Sequence, residues 1–299
     1  MPPASTSEGR VLASWGGHGV VRLDDGDVVD CRYRRSVGRP VCGDRVYVAP
    51  DGGGGMAVES ILPRRNAFIR ADDRQRPQQV AANLDQVAVV VAPRPEPTRD
   101  LLARYLVAVH SLGIDPVLVL NKAELLGADD RPEALDRLDY MESLGYSLVR
   151  TSCKGPPGLD ALRPLLDSRT SILVGQSGVG KSSLVAALLP DLDIQVGALS
   201  RVTGKGTHTT TTTTLYELPG GGALIDSPGV WEYGIWALEP ADIAHGFLEF
   251  RPHLGQCRFN DCRHDAEPGC AVKAAVGAGV IPEWRHESYR RVLSRNAAD

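Results

Sequence analysis

Three short segments constrain this chain more than anything else in it, and so does their order: Asn121-Lys122-Ala123-Glu124, then Gly175-Gln176-Ser177-Gly178-Val179-Gly180-Lys181-Ser182, then Asp226-Ser227-Pro228-Gly229. The middle segment has the spacing of a phosphate-binding loop. The apolar Ser171 to Val174 before it reads as a strand, and Lys181 to Leu189 after it as a helix stopped by Pro190, the context that spacing requires. In such a loop the glycines let backbone N–H groups approach phosphates and the helix offers its positive end. Lys181 then reaches the outer phosphates, and Ser182, with Ser183 beside it, places a hydroxyl on Mg²⁺.

The first segment reads the base. A carboxylate at Glu124 can accept from both the ring N–H and the exocyclic amine of guanine, whereas adenine presents an acceptor at the first of these positions, so GTP is favoured over ATP. Asn121 is expected to brace the loop and the Lys122 stem to pack over the base. Ser152, Cys153 and Lys154, at the end of the next predicted strand, would complete the pocket, with Cys153 a packing thiol. Glutamate stands at Glu124 where aspartate is usual, one methylene longer. Because the base-reading segment precedes the phosphate loop, the order is that of a circular permutation.

The third segment supplies Asp226, which would hold Mg²⁺ through water, and Gly229, whose N–H would meet the γ-phosphate. Many GTPases place a glutamine next, to orient the attacking water; here Val230 follows and cannot hydrogen-bond. Water positioning must then come from elsewhere, and His208 is the candidate, since an imidazole can orient or deprotonate water near neutral pH. A solvent-facing loop histidine is the other reading. Thr210, or next Thr209, is expected to ligate Mg²⁺, and Thr211 to Thr214 to lead as strand into Leu215 to Leu218.

Around these motifs the 299 residues leave room for about two to three domains. Gly9 to Ser14, Gly19 to Leu23, Val28 to Tyr33 and Arg45 to Ala49 carry β-formers, with Asp24-Asp25-Gly26-Asp27 as a hairpin signal, and predict an OB-like β-barrel over residues 1–68. Gly52 to Gly55 reads as a flexible loop. From about Ile69 the period changes. Strands are expected at Leu84 to Ala92, Pro116 to Leu120 and Leu148 to Arg150, and helices from Leu101, with Leu102, Tyr105, Leu106 and Val109 on one face, to near Gly113, at Pro132 to Leu144 and at Leu159 to Leu166. That alternation predicts an α/β domain over residues 69–237 with every motif beyond the carboxyl ends of its strands.

Composition excludes little but is consistent. The longest apolar runs are far too short to cross a bilayer, and the opening MPPASTSEG has neither a positive start nor an apolar stretch, so a cytoplasmic protein without membrane contact is expected. The net charge of −4 argues against a protein that coats nucleic acid over its whole surface. From Cys31 to Arg76, however, ten arginines stand against five acids, which is either a local basic face or a solvated surface.

Of six cysteines, three cluster with a histidine as Cys257, Cys262, His264 and Cys270. Three thiolates and an imidazole suit a closed tetrahedral Zn²⁺ site of structural type, with iron the alternative ion. A mainly helical zinc-binding domain over residues 238–299, ending in a helix, is expected to gain from the metal the stability its small core lacks. Arg251, Arg258, Arg263, Arg285, Arg290, Arg291 and Arg295 could meet RNA phosphates, though six acids share that tail.

The permuted motifs, Gly206-Thr207-His208-Thr209-Thr210-Thr211, DSPGVWEYGIW, GFLEF and CRFNDCRHDAEPGCAV together resemble the RsgA (YjeQ/YloQ) family of small-ribosomal-subunit-dependent GTPases, over nearly the whole chain. The resemblance implies a late assembly factor that binds the small subunit and its rRNA near the decoding region. It implies weak intrinsic GTP hydrolysis stimulated by that subunit, release after hydrolysis, and a catalytic role for the histidine at His208. Cofactors would be one Zn²⁺, and Mg²⁺ with GTP or GDP; a monomer is expected. The long basic N-terminal extension of some members is not expected to contribute RNA contacts here. Two other readings remain open from the residues: a non-enzymatic, GTP-switched RNA-binding module, which Val230 favours, and an ATPase or nucleotide kinase on the same phosphate loop. Permutation also puts the end of the nucleotide domain just after Asp226-Ser227-Pro228-Gly229. The expectation is that this segment passes the nucleotide state directly to the zinc domain.

Overall fold

In the computed structural model, residues 6–71, 77–98, 100–126, 133–189, 191, 192, 195, 213–227 and 238–296 are described. His208, Thr209, Thr210, Gly229 and Val230 lie outside them.

The N-terminal strands close into a barrel. β1 (Ser7–Trp15), β2 (His18–Leu23), β3 (Val28–Tyr33), β4 (Arg45–Pro50) and β5 (Met56–Ile61) pair in the cyclic order β1-β2-β3-β5-β4-β1, antiparallel except for β3 with β5. Alternate residues fill its interior: Val11, Val21, Leu23, Cys31, Val46, Val48 and Val58 form one buried cluster. Closure removes strand edges, which a sheet this small could not leave open. β5 carries a weak alternating signal behind its run of glycines, and only its pairing with β3 and β4 reveals it as a strand.

A hairpin follows that periodicity does not suggest: β6 (Ala67–Ala71) pairs with β7 (Pro77–Ala82). Residues 68 and 69, either side of the expected barrel boundary, are neighbours in β6. The hairpin is tied to the barrel because Cys42 O accepts from Ala82 N at 2.8 Å and Asn83 Nδ2 donates to Gly43 O at 3.0 Å.

The nucleotide domain is a sheet in the order β10-β9-β8-β11-β13-β12, where β8 is Gln86–Val91, β9 Pro116–Leu120, β10 Ser147–Arg150, β11 Thr170–Val174, β12 Thr214–Glu217 and β13 Ala223–Asp226. All are parallel except β12, which turns back against β13. β8, β9 and β11 are buried at every position, as parallel strands covered on both faces must be. Their period of two splits the core. Val87, Val89 and Val91 face the cluster containing α1 (Leu101–Ser111), while Ala88, Val90 and Ala92 face Leu162, Leu166, Leu184 and Val185 on the other side. α2 (Glu133–Ser143), α3 (Arg163–Leu166) and α4 (Lys181–Leu188) complete the layers. α3 is shorter than expected. Leu159 to Leu162 form a turn in which Leu162 N donates to Leu159 O, and Pro164 opens the helix proper.

The C-terminal region contains α5 (Pro240–His245), a 3-10 segment (Leu248–His253), α6 (Ala271–Gly277) and α7 (Glu283–Asn296). It packs on α1, which is why α1 buries Leu102, Ala103, Tyr105, Leu106, Val107, Ala108 and Val109, more than one sheet-facing stripe. Gly246 sits on Val107 so closely that a Cβ there would lie 2.8 Å from the Val107 Cα. At the start of α1, the carboxylate of Asp100 takes Arg291 at 3.6 Å and Arg295 at 3.2 Å from α7. Among the described residues no helix is long and apolar enough to cross a membrane.

One expectation for the arginines is corrected here. Arg285 is buried at 1% exposure, bonded by Nε to Glu249 Oε1 and lying 4.3 Å from the centroid of Phe247, so it cannot reach RNA. Arg285→Ala would strand the Glu249 carboxylate in the core. A loss of roughly 3–5 kcal/mol in unfolding free energy, read from urea midpoints, is expected, whereas replacing both partners by apolar residues should cost far less.

Candidate functional site

The motifs meet beyond the carboxyl ends of β8, β9, β10, β11 and β13. Asn121 is the junction. Its side chain is buried, donates from Nδ2 to Val179 O in the phosphate loop at 2.9 Å, and accepts at Oδ1 from the Thr151 hydroxyl at 3.1 Å. Base loop, phosphate loop and the segment after β10 are therefore held together by one amide. The glycines around it have steric reasons. A Cβ on Gly180, at φ +94°, would lie 2.4 Å from Asn121 Nδ2, and one on Gly175 would lie 2.2 Å from Val90 O.

Beyond the expected packing of its stem over the base, Lys122 also holds the phosphate loop by its ammonium. It takes the left-handed conformation at φ 58°, and Nζ donates to Gly178 O at 2.5 Å and Arg94 O at 3.1 Å. Gln176 reaches the same neighbour, donating from Nε2 to Pro95 O at 2.9 Å and Glu96 O at 3.1 Å. Residues 94–96, which leave β8, thus clamp the phosphate loop from the side. Sequence reasoning missed them because they contribute only carbonyls, which any residue has.

Glu124 is exposed at the mouth of the pocket and faces Ser152. Buried Ser152 accepts at Oγ from the amides of Lys154 and Gly155, both at 3.1 Å, which leaves its hydroxyl proton for the Glu124 carboxylate. That hydrogen bond first, and Lys154 and Lys122 by charge, hold the Glu124 carboxyl below its usual range, so it is an acceptor at neutral pH. Cys153 and Lys154 are exposed alongside, and partial desolvation, helped by the Glu124 charge, pushes the Cys153 thiol up. The longer side chain of Glu124 is accommodated by a fixed partner.

Ser177, Gly178, Ser182 and Ser183 are solvent-facing in the loop and first turn of α4, while Val179 is buried as its inner anchor. Lys181 Nζ donates to Gly175 O at 2.6 Å and Gln176 O at 2.9 Å. Burial lowers the Lys181 pKa and raises that of Asp226, and in each case the other group opposes the shift. Lys181 and Asp226 are thus close enough to interact by charge at the phosphate loop, a pairing of signs that suits a nucleoside triphosphate with Mg²⁺. Beside Asp226, buried Ser227 shares a 2.8 Å hydrogen bond with the Thr213 hydroxyl.

The second constellation is the cysteine cluster. The donor atoms of Cys257, Cys262, His264 and Cys270 all lie within 4.8 Å of one another. With Zn–S of about 2.3 Å and Zn–N of about 2.0 Å, a tetrahedron has S···S edges of about 3.7 Å and S···N edges of about 3.5 Å. The Cys257 and Cys270 sulfurs are 3.9 Å apart, and His264 Nδ1 is 3.5 Å and 3.4 Å from them. The donor set therefore fits one zinc ion. Around it, amides of Ala271 and Lys273 point at the sulfurs of Cys257 and Cys270 at 3.3 and 3.5 Å, as thiolates prefer. The Tyr289 hydroxyl on Arg263 O at 2.6 Å and His286 Nε2, 2.6 Å from His264 O, fix the loop to α7. Four protein donors leave no position for substrate, so the site is structural.

Comparisons with known proteins agree with this geometry. A family model described as RsgA GTPase matches residues 61–236. The small ribosomal subunit biogenesis GTPase RsgA of Pseudomonas aeruginosa is 47% identical over 287 residues, covering 96% of this chain and 84% of that one. The protein of the same description from Chromohalobacter salexigens is 48% identical over 294 residues, covering 95% and 85%. Among solved structures, YjeQ from Thermotoga maritima is similar with a TM-score of 0.79 and 32% identity, covering 98% of this chain and 99% of that one. YloQ, described as a circularly permuted GTPase, is similar with a TM-score of 0.72 and 25% identity, covering 99% and 96%.

Proposed function

The chain belongs to the RsgA GTPase family, and from that premise we propose that it is a Mg²⁺-dependent GTP hydrolase acting in late assembly of the small ribosomal subunit, where it binds rRNA and leaves on hydrolysis. The observation that supports this reading most is the Asn121 junction, which joins three segments far apart in the chain into one guanine-nucleotide pocket. In this reading Glu124 reads guanine, with Asn121, Lys122 and Ser152 to Lys154 forming the base pocket. Gly175 to Ser183 take the phosphates, and Gly229 meets the γ-phosphate. Ser182, Thr210 or Thr209, and Asp226 serve Mg²⁺, which neutralises the charge that builds on the phosphates. His208 orients the attacking water.

The barrel and the C-terminal region hold RNA. Arg251, Arg258 and Arg263 are exposed and have no carboxylate partner among the described residues, which suits them to phosphates. Arg290, Arg291 and Arg295 already pair with Asp265, Glu287 and Asp100. We place the protein in the cytoplasm, as a monomer free of membranes. GTP turnover measured with and without purified small subunits tests the reading: acceleration by orders of magnitude is expected, and none would remove the ribosomal assignment.

A further inference from the structure

The barrel and the nucleotide domain are joined by strand pairing. β12 would be the open edge of the nucleotide sheet, and β1 covers it, with Ala13 opposite Thr214, so that one sheet runs through both. The β1–β2 register shifts between Val11 and Ala13, immediately beside this pairing. Cys42 sits in the seam. It is buried at 1% exposure, and its sulfur lies 2.9 Å from Thr213 O and 3.2 Å from Leu12 O, so a single S–H is shared between the two domains. Burial pushes the thiol well above its usual range, so it stays a donor. At the far end of the seam Arg22 pairs with Glu217 at 2.8 Å.

The strand that the barrel holds bears directly on the reaction centre. Thr213 ends the threonine segment that contains Thr209 and Thr210. Its hydroxyl is bonded to Ser227, the residue after Asp226, and its neighbour Thr214 pairs with Asp226 itself. From the barrel to the residue beside the Mg²⁺-side carboxylate there are thus two contacts, the Cys42 thiol on the Thr213 carbonyl and the Thr213 hydroxyl on Ser227. We propose that Cys42 and Thr213 are positioning residues through which the barrel sets the exit of the threonine segment, so that RNA held on the barrel controls the rate of GTP hydrolysis. This rests on the reading of the barrel as an RNA-binding module. A barrel shifted by its RNA must move β12 or break the seam, because a donor at 2.9 Å tolerates little displacement.

The test uses the full chain. With purified small subunits, Cys42→Ala is expected to lower stimulated turnover roughly ten-fold, a typical size for coupling between sites. Turnover without subunits, and co-sedimentation with them in a non-hydrolysable GTP analogue, should be unchanged. Cys42→Ser, which keeps a donor, should restore stimulation. Arg22→Ala loosens the same seam from its exposed end and serves if the core substitution unfolds the barrel. Amide exchange supplies a second readout: protection of residues 12–15 should differ between the GDP and analogue forms of the unaltered protein, and the difference should vanish in Cys42→Ala. Full stimulation in both variants, or identical protection of residues 12–15 in the two nucleotide forms, would overturn the proposal. Should subunits fail to stimulate the unaltered protein, the ribosomal reading falls, and the exchange measurement still decides the coupling.

Discussion

Removal of the metal, by chelation or by Cys270→Ser, is expected to erase amide protection from residue 254 to the end of α7 while β8, β9 and β11 keep theirs. The reason is the balance of forces in this region. Its own buried side chains are few, chiefly Phe247, Phe250, Val272, Ile281, Tyr289, Val292 and Leu293, and they share a cluster with α1 rather than forming an independent core. The buried Arg285–Glu249 pair adds little net stability, since two charges had to be desolvated to make it. By contrast, a structural zinc site of this donor type contributes an apparent free energy of about 10–16 kcal/mol at neutral pH. The loop from Cys257 to Cys270 contains no strand or α-helix that could hold it otherwise. Metal content by mass spectrometry together with hydrogen exchange checks this. Retained protection of residues 257–296 in metal-free protein would mean that packing on α1 suffices and the four donors are dispensable.

The segments that Asn121 brings together were legible because their signals are local: a glycine spacing suited to phosphates and a carboxylate at fixed distance from an asparagine suited to a base. The central strands were legible for a related reason, since fully buried parallel strands read as unbroken apolar runs, and Pro116 to Leu120 was located to the residue. What could not be read is non-local. The clamp by residues 94–96 is made of carbonyls, β5 and the β6–β7 hairpin depend on partners rather than on their own alternation, and the burial of Arg285 depends on a glutamate thirty-six positions earlier. The seam between β1 and β12 is the extreme case, because nothing in either strand distinguishes a barrel strand that also extends a neighbouring sheet.

The permuted order acquires a physical sense from these contacts. Both reactive segments follow the phosphate loop, and each is connected to another domain, the first because the strand it enters pairs with the barrel, the second because the chain after it continues into the C-terminal region. The threonine segment leaves through Thr213 into a strand annealed to the barrel. The segment after Ser227 leads instead toward Leu238 and the zinc-bearing region, which in turn rests on α1 and holds Asp100 with Arg291 and Arg295. In an unpermuted domain the segment after Ser227 would be followed by the rest of the same sheet, as the threonine segment still is here by β12 and β13. Here the strand that Thr213 enters is paired with the barrel, the chain after Ser227 continues to the C-terminal region, and the Thr213–Ser227 hydrogen bond joins the two.

That meeting point sharpens what is expected of the water-positioning group. His208 precedes Thr213 by five positions and Val230 follows Ser227 by three, so both belong to segments that start from the hydroxyl pair beside Asp226. Valine offers no hydrogen bond to water, whereas an imidazole can accept a proton or orient a lone pair near neutral pH. His208→Ala is therefore expected to lower subunit-stimulated turnover by about 10²–10⁴-fold, the usual worth of a positioned acid–base group. Affinity for GDP and for a non-hydrolysable GTP analogue should stay nearly constant, because an interaction made only in the transition state affects turnover and not ground-state binding. Single-turnover hydrolysis on saturating subunits and fluorescent nucleotide titration separate the two quantities. If turnover and nucleotide affinity fell together, the imidazole would be holding the threonine segment in place, and the search for the group that orients water would pass to the ribosomal subunit itself.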